Sequence, residues 1–281
     1  MPELPEVETI VRQLNREIKN KTITDFSCSA PKMAVTHKLA DFQRQIKGKK
    51  ILNVKRRGKI ILLELSGGLV LAIHLRLTGQ LFVRKSTHPQ DPFNRAIFQL
   101  GKNLELRFND LRLFGQMWLY PKTQIENNFD KIQKLGPEPF DKTFILQNFK
   151  NILQHNRTKI KALLLDQSKI SGLGNIYSDE VLFYAVIHPN TPANKISDEK
   201  IRKLYIGIKK ILRDAIRAQG TSVDTYRDIR GEKGQYAVKL KIYRRTGKPC
   251  FRCGTKIARV KIGGRSAHFC PKCQKRIMNY E

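Results

Sequence analysis

The sequence is short of acidic residues. Its 281 residues include 24 Asp and Glu against 54 Lys and Arg, so the formal net charge at pH 7 is +30. A field of this strength attracts polyanions, which makes nucleic acid and an anionic membrane surface the two partners to consider. The chain has no amphipathic basic helix with a bulky aromatic face, and this argues against the membrane. Nucleic acid is therefore the expected partner.

Long apolar runs and a secretion signal are also missing. No apolar segment approaches the ~18 residues that a membrane span needs, and no signal peptide opens the chain. We therefore expect a soluble, intracellular protein. The length suggests about two domains, and a hydrophobic content of 40% is ordinary for a globular protein.

Cysteines are few and unevenly placed. Cys28 stands alone and is interpreted most simply as a buried apolar residue. The other four, Cys250, Cys253, Cys270 and Cys273, form two C-x2-C pairs whose spacing is typical of a zinc site. Four thiolates would close the tetrahedron and leave no open position, which predicts one structural zinc ion. Disulfides are the alternative, and an intracellular location disfavours them.

The pattern of apolar residues predicts strands first and helices later. A helix is expected over residues 4–19, followed by strands between about 23 and 120, with hairpin turns at 66–68 and 101–103. The segment 135–140 contains Gly and Pro and is the best domain boundary. Helical spacing then covers four segments: 144–154, 158–167, 176–185 and 198–218. This order favours an α+β fold with a β-sandwich or barrel ahead of a helical region.

The first six residues admit two interpretations. Removal of Met1 would leave Pro2 with a free secondary amine, whose ordinary pKa near 8 leaves much of it unprotonated and able to attack an electron-poor carbon. Glu3 is then a candidate general acid or base, with Glu6 close behind. Alternatively, Pro5 and Glu6 simply open a helix, because both suit a first helical turn. Both interpretations stay open at this point.

Two further segments are informative. Glycines precede Asn175, which is predicted to cap a helix, and a helix N-terminus after glycines is a natural phosphate site, although such a short motif also occurs in plain turns. Residues 224–236 are polar and without a period, so a mobile loop is expected there.

Six motifs occur in one order along the chain and together resemble those of bacterial formamidopyrimidine-DNA glycosylases. They are Pro2-Glu3-Leu4-Pro5-Glu6-Val7-Glu8-Thr9, Arg57-Gly58-Lys59, His74-Leu75-Arg76, the run 109–115, the run 172–177 and the four-cysteine segment. The resemblance covers essentially the whole chain. It implies an enzyme that excises 8-oxoguanine and ring-opened purines from DNA.

The resemblance also implies the architecture. We expect an N-terminal catalytic β-sandwich domain with flanking helices over 1–135 and a linker over 136–148. A helix–two-turn–helix domain with a lesion-capping loop would follow over 149–237, and a β-hairpin zinc finger over 238–281. The expected partner is double-stranded DNA containing oxidised bases, bound by a monomer in the bacterial cytoplasm, at the nucleoid.

By the same resemblance, the catalytic residues are Pro2, Glu3 and Lys59. The Pro2 amine would attack the sugar C1′ and displace the damaged base, and Glu3 would protonate the sugar ring oxygen. The resulting iminium would allow β- and then δ-elimination, so the enzyme would be both a glycosylase and a lyase for abasic sites. Glu6 would support the reaction by orienting the N-terminal amine.

The remaining implied residues contact DNA. Lys59 with His74, Asn175 and Arg265 would hold the phosphates around the flipped nucleotide, and Leu77, Arg112 and Phe114 would fill the space that it leaves in the stack. Leu77 stands where the family usually has Met, and Thr78 where relatives have Glu or Ser. A loop with Ser222, Thr225 and Tyr226 would cap the flipped base, and Lys161 would lie near the pocket.

Two other functions compete with this one. A related glycosylase class removes oxidised pyrimidines and shares Pro2 and Glu3, although the run from Leu4 to Thr9 favours the purine enzyme. A non-catalytic nucleic-acid-binding protein with a zinc ribbon would equally explain the charge and the cysteines, but Pro2, Glu3 and Lys59 would then be coincidental.

Overall fold

The computed structural model describes residues 1–276, which form two compact units. The first unit comprises Met1–Gln133 with Ile216–Ala237, and the second comprises Lys134–Ala215 with the chain from Val238 onward. The sequence-based division kept residues 149–237 together, whereas the units divide this stretch after Ala215. The reason is that Tyr226 and Ile229 pack into the core of the first unit.

The first unit contains eight strands and four helices. The strands are β1 (Asp25–Cys28), β2 (Ile51–Arg57), β3 (Ile60–Leu65), β4 (Leu69–His74), β5 (Gly79–Lys85), β6 (Asn94–Gln99), β7 (Leu104–Asp110) and β8 (Gln116–Pro121). The helices are α1 (Leu4–Glu17), α2 (Leu39–Ile46), α3 (Ile125–Asn128) and α4 (Asp130–Gln133), with a 3-10 turn at Pro31–Met33.

The strands form two antiparallel four-stranded sheets, in the orders β1-β6-β7-β5 and β2-β3-β4-β8. Apolar side chains of both sheets, among them Phe98 and Ile61, meet in one buried core that α1 also joins through Val7 and Ile10. The predicted β-sandwich is therefore confirmed. Both predicted hairpins are present as β3–β4 and β6–β7.

The second unit is mainly helical. Its elements are α5 (Leu146–Gln154), α6 (Ile160–Leu165), α7 (Asn175–Tyr184), α8 (Asp198–Arg217), β9 (Ala258–Ile262) and β10 (Arg265–Phe269), with 3-10 turns at Ala193–Lys195 and Tyr236–Lys239. The last two residues of α8 belong to the first unit. All four predicted helices are found, and β9 and β10 form a separate two-stranded sheet. No helix within residues 1–276 is long and apolar enough to cross a membrane.

Three expectations need correction. The N-cap of α7 is Gly174, and Asn175 is the first helical residue. The segment 224–236 is irregular but not a loose loop, because Tyr226, Asp228 and Ile229 are buried. Cys28 is only half-buried, and its thiol donates to the Ala30 carbonyl oxygen over 3.3 Å.

Candidate active site and zinc centre

The N-terminal residues of the first unit are buried where α1 begins. Pro2 is buried, and Glu3 is the N-cap of α1. The Glu3 side chain accepts from the Glu6 backbone, and the Glu3 N–H donates to Glu6 Oε2 over 2.8 Å. This reciprocal pair is a capping box, which satisfies two helix-terminal donors. These residues therefore do open the helix, and the capping box fixes Glu3, the residue that follows Pro2.

Glu6 also connects α1 to a distant part of the chain. Its second oxygen, Oε1, accepts the Thr221 N–H over 2.8 Å, from a residue 215 positions further along. Gly220 lies against the same carboxylate, since a Cβ there would be 2.9 Å from Glu6 Cγ and the residue has φ +85°. We call Pro2, Glu3, Glu6, Gly220 and Thr221 the N-terminal cluster. The sequence offered only one hint of the last two, a glycine three residues after the end of α8.

The N-terminal amine lies in a partly desolvated, charged environment. Burial lowers the pKa of the Met1 amine below its ordinary value, and the Lys59 ammonium lowers it further, against the opposing effect of Glu3, Asp224 and Glu6. Lys59 is buried in the turn between β2 and β3. Arg56, three residues before Lys59, is largely buried and pairs with Glu8 over 2.6 Å.

His74 ends β4 at the same end of the sheet as Lys59, because it pairs with Ile60. Burial first, and then the charges of Arg76 and Lys59, lower the pKa of His74 to about 3. The ring is therefore neutral at physiological pH. Nδ1 accepts the Arg76 N–H over 2.9 Å, which assigns the ring proton to Nε2. His74 thus offers a neutral hydrogen-bond donor.

Two loops at one edge of the other sheet carry Leu77, Arg112 and Phe114. The loops meet because Gly79, the first residue of β5, pairs with Asp110, the last of β7. Arg112 is exposed and lies over the Phe114 ring, 4.7 Å from its centroid, and Phe114 is itself 46% exposed. Leu77 is half-buried. A large apolar group and a planar cation are thus presented together at the surface.

The segment with Ser222, Thr225 and Tyr226 divides into an anchor and an exposed part. Tyr226 is buried, its hydroxyl donates to the Gln219 carbonyl oxygen over 3.1 Å, and burial raises its pKa well above the ordinary value. Ser222 is half-buried and donates to the Tyr226 carbonyl oxygen over 2.9 Å. Thr225 is exposed. The anchor role of Tyr226 could not be deduced from its polar surroundings in the sequence.

In the second unit, Asn175 stands at the start of α7. Its side-chain Oδ1 is buried without a hydrogen-bond partner among the described residues. Lys161 is fully buried, and its ammonium donates to the Asn175 carbonyl oxygen over 3.0 Å and to Asp179 Oδ1 over 2.6 Å. Lys161 therefore fixes the first turn of α7 from within the unit.

Arg265 is exposed directly after the turn between β9 and β10. The turn consists of Gly263 and Gly264, which have φ values of +53° and +76°, in the left-handed region that favours glycine. His268 anchors the hairpin to α7, since both its N–H and its Nδ1 lie within 3.0 Å of Asp179 Oδ2. No sequence spacing indicated this contact between Asp179 and His268.

The four predicted zinc ligands, Cys250, Cys253, Cys270 and Cys273, converge on one point. Their sulfur atoms all lie within 4.8 Å of one another, with Cys250–Cys273 at 4.0 Å and Cys253–Cys270 at 3.4 Å. A tetrahedron with Zn–S bonds of ~2.3 Å separates its sulfurs by about 3.8 Å, so the arrangement fits one zinc ion. Because all four positions are filled by protein, the zinc is structural. We call this segment, residues 250–273, the four-cysteine module.

Comparisons with known proteins agree with this arrangement. The family model of the formamidopyrimidine-DNA glycosylase N-terminal domain matches residues 1–117, that of the H2TH domain of the same enzymes matches 135–227, and that of a zinc finger found in FPG and IleRS matches 247–276. The formamidopyrimidine-DNA glycosylase of Pelotomaculum thermopropionicum is 43% identical over 275 residues, which cover 98% of this chain and 99% of the relative.

Solved structures of a Lactococcus lactis relative match along the whole chain. A variant of that FPG protein in complex with Fapy-dG-containing DNA is 35% identical, with a TM-score of 0.92. The wild-type protein with DNA that contains an oxidised pyrimidine is 35% identical, with a TM-score of 0.91. Both alignments cover 98% of this chain and 100% of the other. The chain therefore belongs to the formamidopyrimidine-DNA glycosylase family of DNA repair enzymes.

Proposed function

We propose that this glycosylase excises oxidised purines, 8-oxoguanine and formamidopyrimidines, from double-stranded DNA and then cleaves the strand at the abasic site. The observation that carries the proposal is the N-terminal cluster, in which a buried proline stands beside two buried carboxylates. Burial favours the neutral form of the Met1 amine and outweighs the opposing effect of the Glu3, Asp224 and Glu6 carboxylates on its pKa. The same surroundings would favour a neutral, nucleophilic amine on Pro2 once Met1 is removed.

The reaction that we propose starts with the lone pair of the Pro2 amine. It forms a bond to the sugar C1′ while the bond from C1′ to the base breaks, and the base leaves with that electron pair and takes up the proton that the Pro2 nitrogen loses. Glu3 donates a proton to the sugar ring oxygen, the ring opens, and the C1′–N bond becomes an iminium. The iminium acidifies the neighbouring C2′ proton, whose loss expels the 3′ phosphate. A second elimination expels the 5′ phosphate.

Glu6 acts as a positioning residue in this proposal. One oxygen fixes the Glu3 backbone and the other fixes Thr221. Both oxygens are thus used in holding the N-terminal cluster together, which fixes the position of the residue that follows Pro2. The capping box is the local part of this arrangement and the bond to Thr221 is the long-range part.

We assign the contacts to DNA phosphates to four side chains that differ in charge. Lys59 supplies a positive charge, and neutral His74 supplies a donor through Nε2. In the second unit, Asn175 supplies an amide at a helix start, which suits an anion, and Arg265 supplies an exposed guanidinium at a hairpin turn. A mixed set can recognise phosphates without adding a cation at every position.

We assign the exposed side chains of the first unit to contacts with the DNA around the extruded base. Leu77, Arg112 and Phe114 fill the space left by the extruded base, since an apolar wedge and a planar cation both stack on bases. Ser222 and Thr225 face the flipped base, with Tyr226 as the buried anchor of their segment. The high positive charge keeps the enzyme on chromosomal DNA, at the nucleoid.

Borohydride trapping tests this proposal. The native enzyme is incubated with duplexes that contain 8-oxoguanine, a formamidopyrimidine or an oxidised pyrimidine, and sodium borohydride reduces any iminium to a stable covalent adduct. We expect adducts to form fastest with the two purine lesions. An undamaged duplex and a duplex with a tetrahydrofuran abasic analogue, which lacks the aldehyde, serve as controls without adduct.

The outcomes separate the competing functions. Fastest trapping on the oxidised pyrimidine would favour the second candidate substrate, with which the Lactococcus lactis protein has also been crystallised. Binding to all duplexes without any adduct would overturn the amine mechanism.

A further inference from the structure

A carboxylate outside the proposed chemistry lies between the loops that carry Leu77, Arg112 and Phe114. Asp110 ends β7 and is fully buried. A buried carboxylate is costly unless its oxygens accept hydrogen bonds. Its partners therefore indicate what the residue does.

One oxygen of Asp110 closes the loop that follows it. Oδ2 accepts the Gly115 N–H over 2.6 Å, and this hydrogen bond closes the five-residue loop between β7 and β8. Space at the closing position is tight, because a Cβ on Gly115 would lie 2.4 Å from Phe108 Cζ. Within the loop, Leu113 has φ +56°, a conformation that costs energy in a residue other than glycine. The carboxylate thus holds a strained loop shut.

The other oxygen reaches the second loop. Oδ1 accepts the Thr78 hydroxyl over 2.5 Å and the Arg112 N–H over 3.2 Å. The Thr78 oxygen itself lies 3.2 Å from the same Arg112 N–H and accepts from it. The hydroxyl of Thr78, the residue after Leu77, therefore donates to Asp110 and accepts from the backbone of Arg112.

A third segment joins the same network. Thr225 Oγ1 contacts the Leu77 carbonyl oxygen over 3.4 Å, and Gln80 Nε2 donates to the Thr225 carbonyl oxygen. The Leu77 loop, the Arg112–Phe114 loop and the segment that contains Thr225 are thus connected through Thr78 and its neighbours. All of these atoms belong to one compact unit.

We propose that Asp110 and Thr78 are positioning residues that couple the Leu77 loop to the Arg112–Phe114 loop, so that both enter the base stack as one body. The proposal rests on the proposed role of Leu77, Arg112 and Phe114 in filling the space of the flipped base. It also assigns Thr78 a function other than lesion recognition, because its hydroxyl is already used by Asp110 and Arg112.

The coupling can be removed without a change of side-chain size. Thr78→Val deletes the hydroxyl, whereas Thr78→Ser keeps it and should restore function. Thr87→Val is the matched control, since Thr87 is an exposed threonine in the loop after β5. Asp110→Asn is a second probe, and thermal unfolding of each variant shows whether the fold is intact.

Two readouts distinguish positioning from general damage. Stopped-flow fluorescence of 2-aminopurine next to the lesion follows the opening of the stack, and borohydride trapping on a pre-made abasic duplex follows the amine chemistry alone. For Thr78→Val we expect stack opening and single-turnover excision to slow about tenfold, in line with the loss of a hydrogen bond to a charged group. Trapping on the abasic duplex should change less than about twofold, and every lesion should be affected equally.

Three results would overturn the proposal. They are wild-type stack opening in Thr78→Val, no rescue by Thr78→Ser, or a loss confined to one lesion, which would make Thr78 a recognition residue instead. Failure of the proposed function has a different signature, because the wild-type enzyme would then give no adduct on any duplex.

Discussion

The N-terminal cluster and the four-cysteine module hold functional atoms in opposite ways. The module gathers four sulfurs from two local turns, 16 residues apart, and a single metal closes it. The N-terminal cluster joins residues at the start of the chain to Gly220 and Thr221 through hydrogen bonds to Glu6. The first arrangement depends on local spacing, whereas the second depends on tertiary structure.

This difference separates binding from chemistry. A closed thiolate site has no open position for a reactant, so the module can only hold the hairpin that carries Arg265. The N-terminal cluster contains two carboxylates and, once Met1 is removed, the Pro2 amine, and these groups can form and break bonds. Disruption of the module should therefore weaken DNA binding, and disruption of the cluster should stop the reaction while binding persists.

The largest effect is expected from blocking the Pro2 amine. An uncleaved N-terminal tag, or retained Met1, removes the proposed nucleophile, so excision and borohydride trapping should fall below detection while DNA binding stays. The control is the same protein after a protease has released Pro2 as the first residue, which should regain full activity. A tagged protein that forms the adduct at the normal rate would show that Pro2 is not the nucleophile.

The next largest effect is expected from Glu3→Gln. Glutamine preserves size and hydrogen bonding but cannot act as an acid, so base excision should slow by about 10²- to 10⁴-fold. Cleavage of a pre-made abasic site should suffer less, since that step starts from an aldehyde and needs only the amine. Single-turnover rates on both substrates measure the split. Equal losses would mean that Glu3 only holds Pro2 in place.

Cys270→Ala tests the role of the four-cysteine module in DNA binding. The variant should lose its zinc, and the Kd for lesion DNA should rise about tenfold or more, or ~1.4 kcal/mol, as the Arg265 hairpin loses its support. Metal analysis and a binding titration measure both effects. Cys28→Ala is the control, because it removes a thiol outside the module and should keep one zinc per chain. Active enzyme without zinc would contradict the structural role.

A smaller effect is expected from Gly220→Ala. The new Cβ would press on Glu6 and occupy a residue with φ +85°, so the unfolding free energy should fall by about 1–3 kcal/mol and excision should slow. Gly48→Ala isolates the contact, because Gly48 has φ +78° but a methyl group added there would meet nothing within 4 Å. If both variants lose equal stability and activity, the contact with Glu6 has no role of its own.

At neutral pH the smallest effect concerns His74, whose contribution to stability changes only under acidic conditions. Its pKa in the folded protein, about 3, is below the ordinary value of 6.5, so the unfolded chain binds more protons between these values. Stability from this group is complete above pH 6.5 and is lost as the pH falls toward 3, by at most about 1.4 kcal/mol per pH unit. His74→Gln should flatten this part of the unfolding curve. An unchanged slope would show that His74 does not titrate as described.

The sequence predicted the parts of the structure that depend on interactions between residues close together in the chain. Cys250 and Cys270, together with the turns between β3 and β4 and between β6 and β7, follow from local spacing and turn chemistry. Local patterns could not indicate that Tyr226 is a core residue, because its neighbours are polar. They could not indicate the bond of His268 to Asp179 either, which joins residues 89 positions apart. A short stretch of sequence contains no pattern that shows which of its residues a distant segment will bury.

The most direct test of the amine mechanism is to identify the residue that becomes linked to DNA. The borohydride-reduced adduct with an 8-oxoguanine duplex is digested with a protease and a nuclease, and the peptides are sequenced by mass spectrometry. We expect the sugar remnant on the nitrogen of Pro2, in a peptide that lacks Met1. A remnant on Lys59 or another lysine, with an unmodified Pro2, would contradict it.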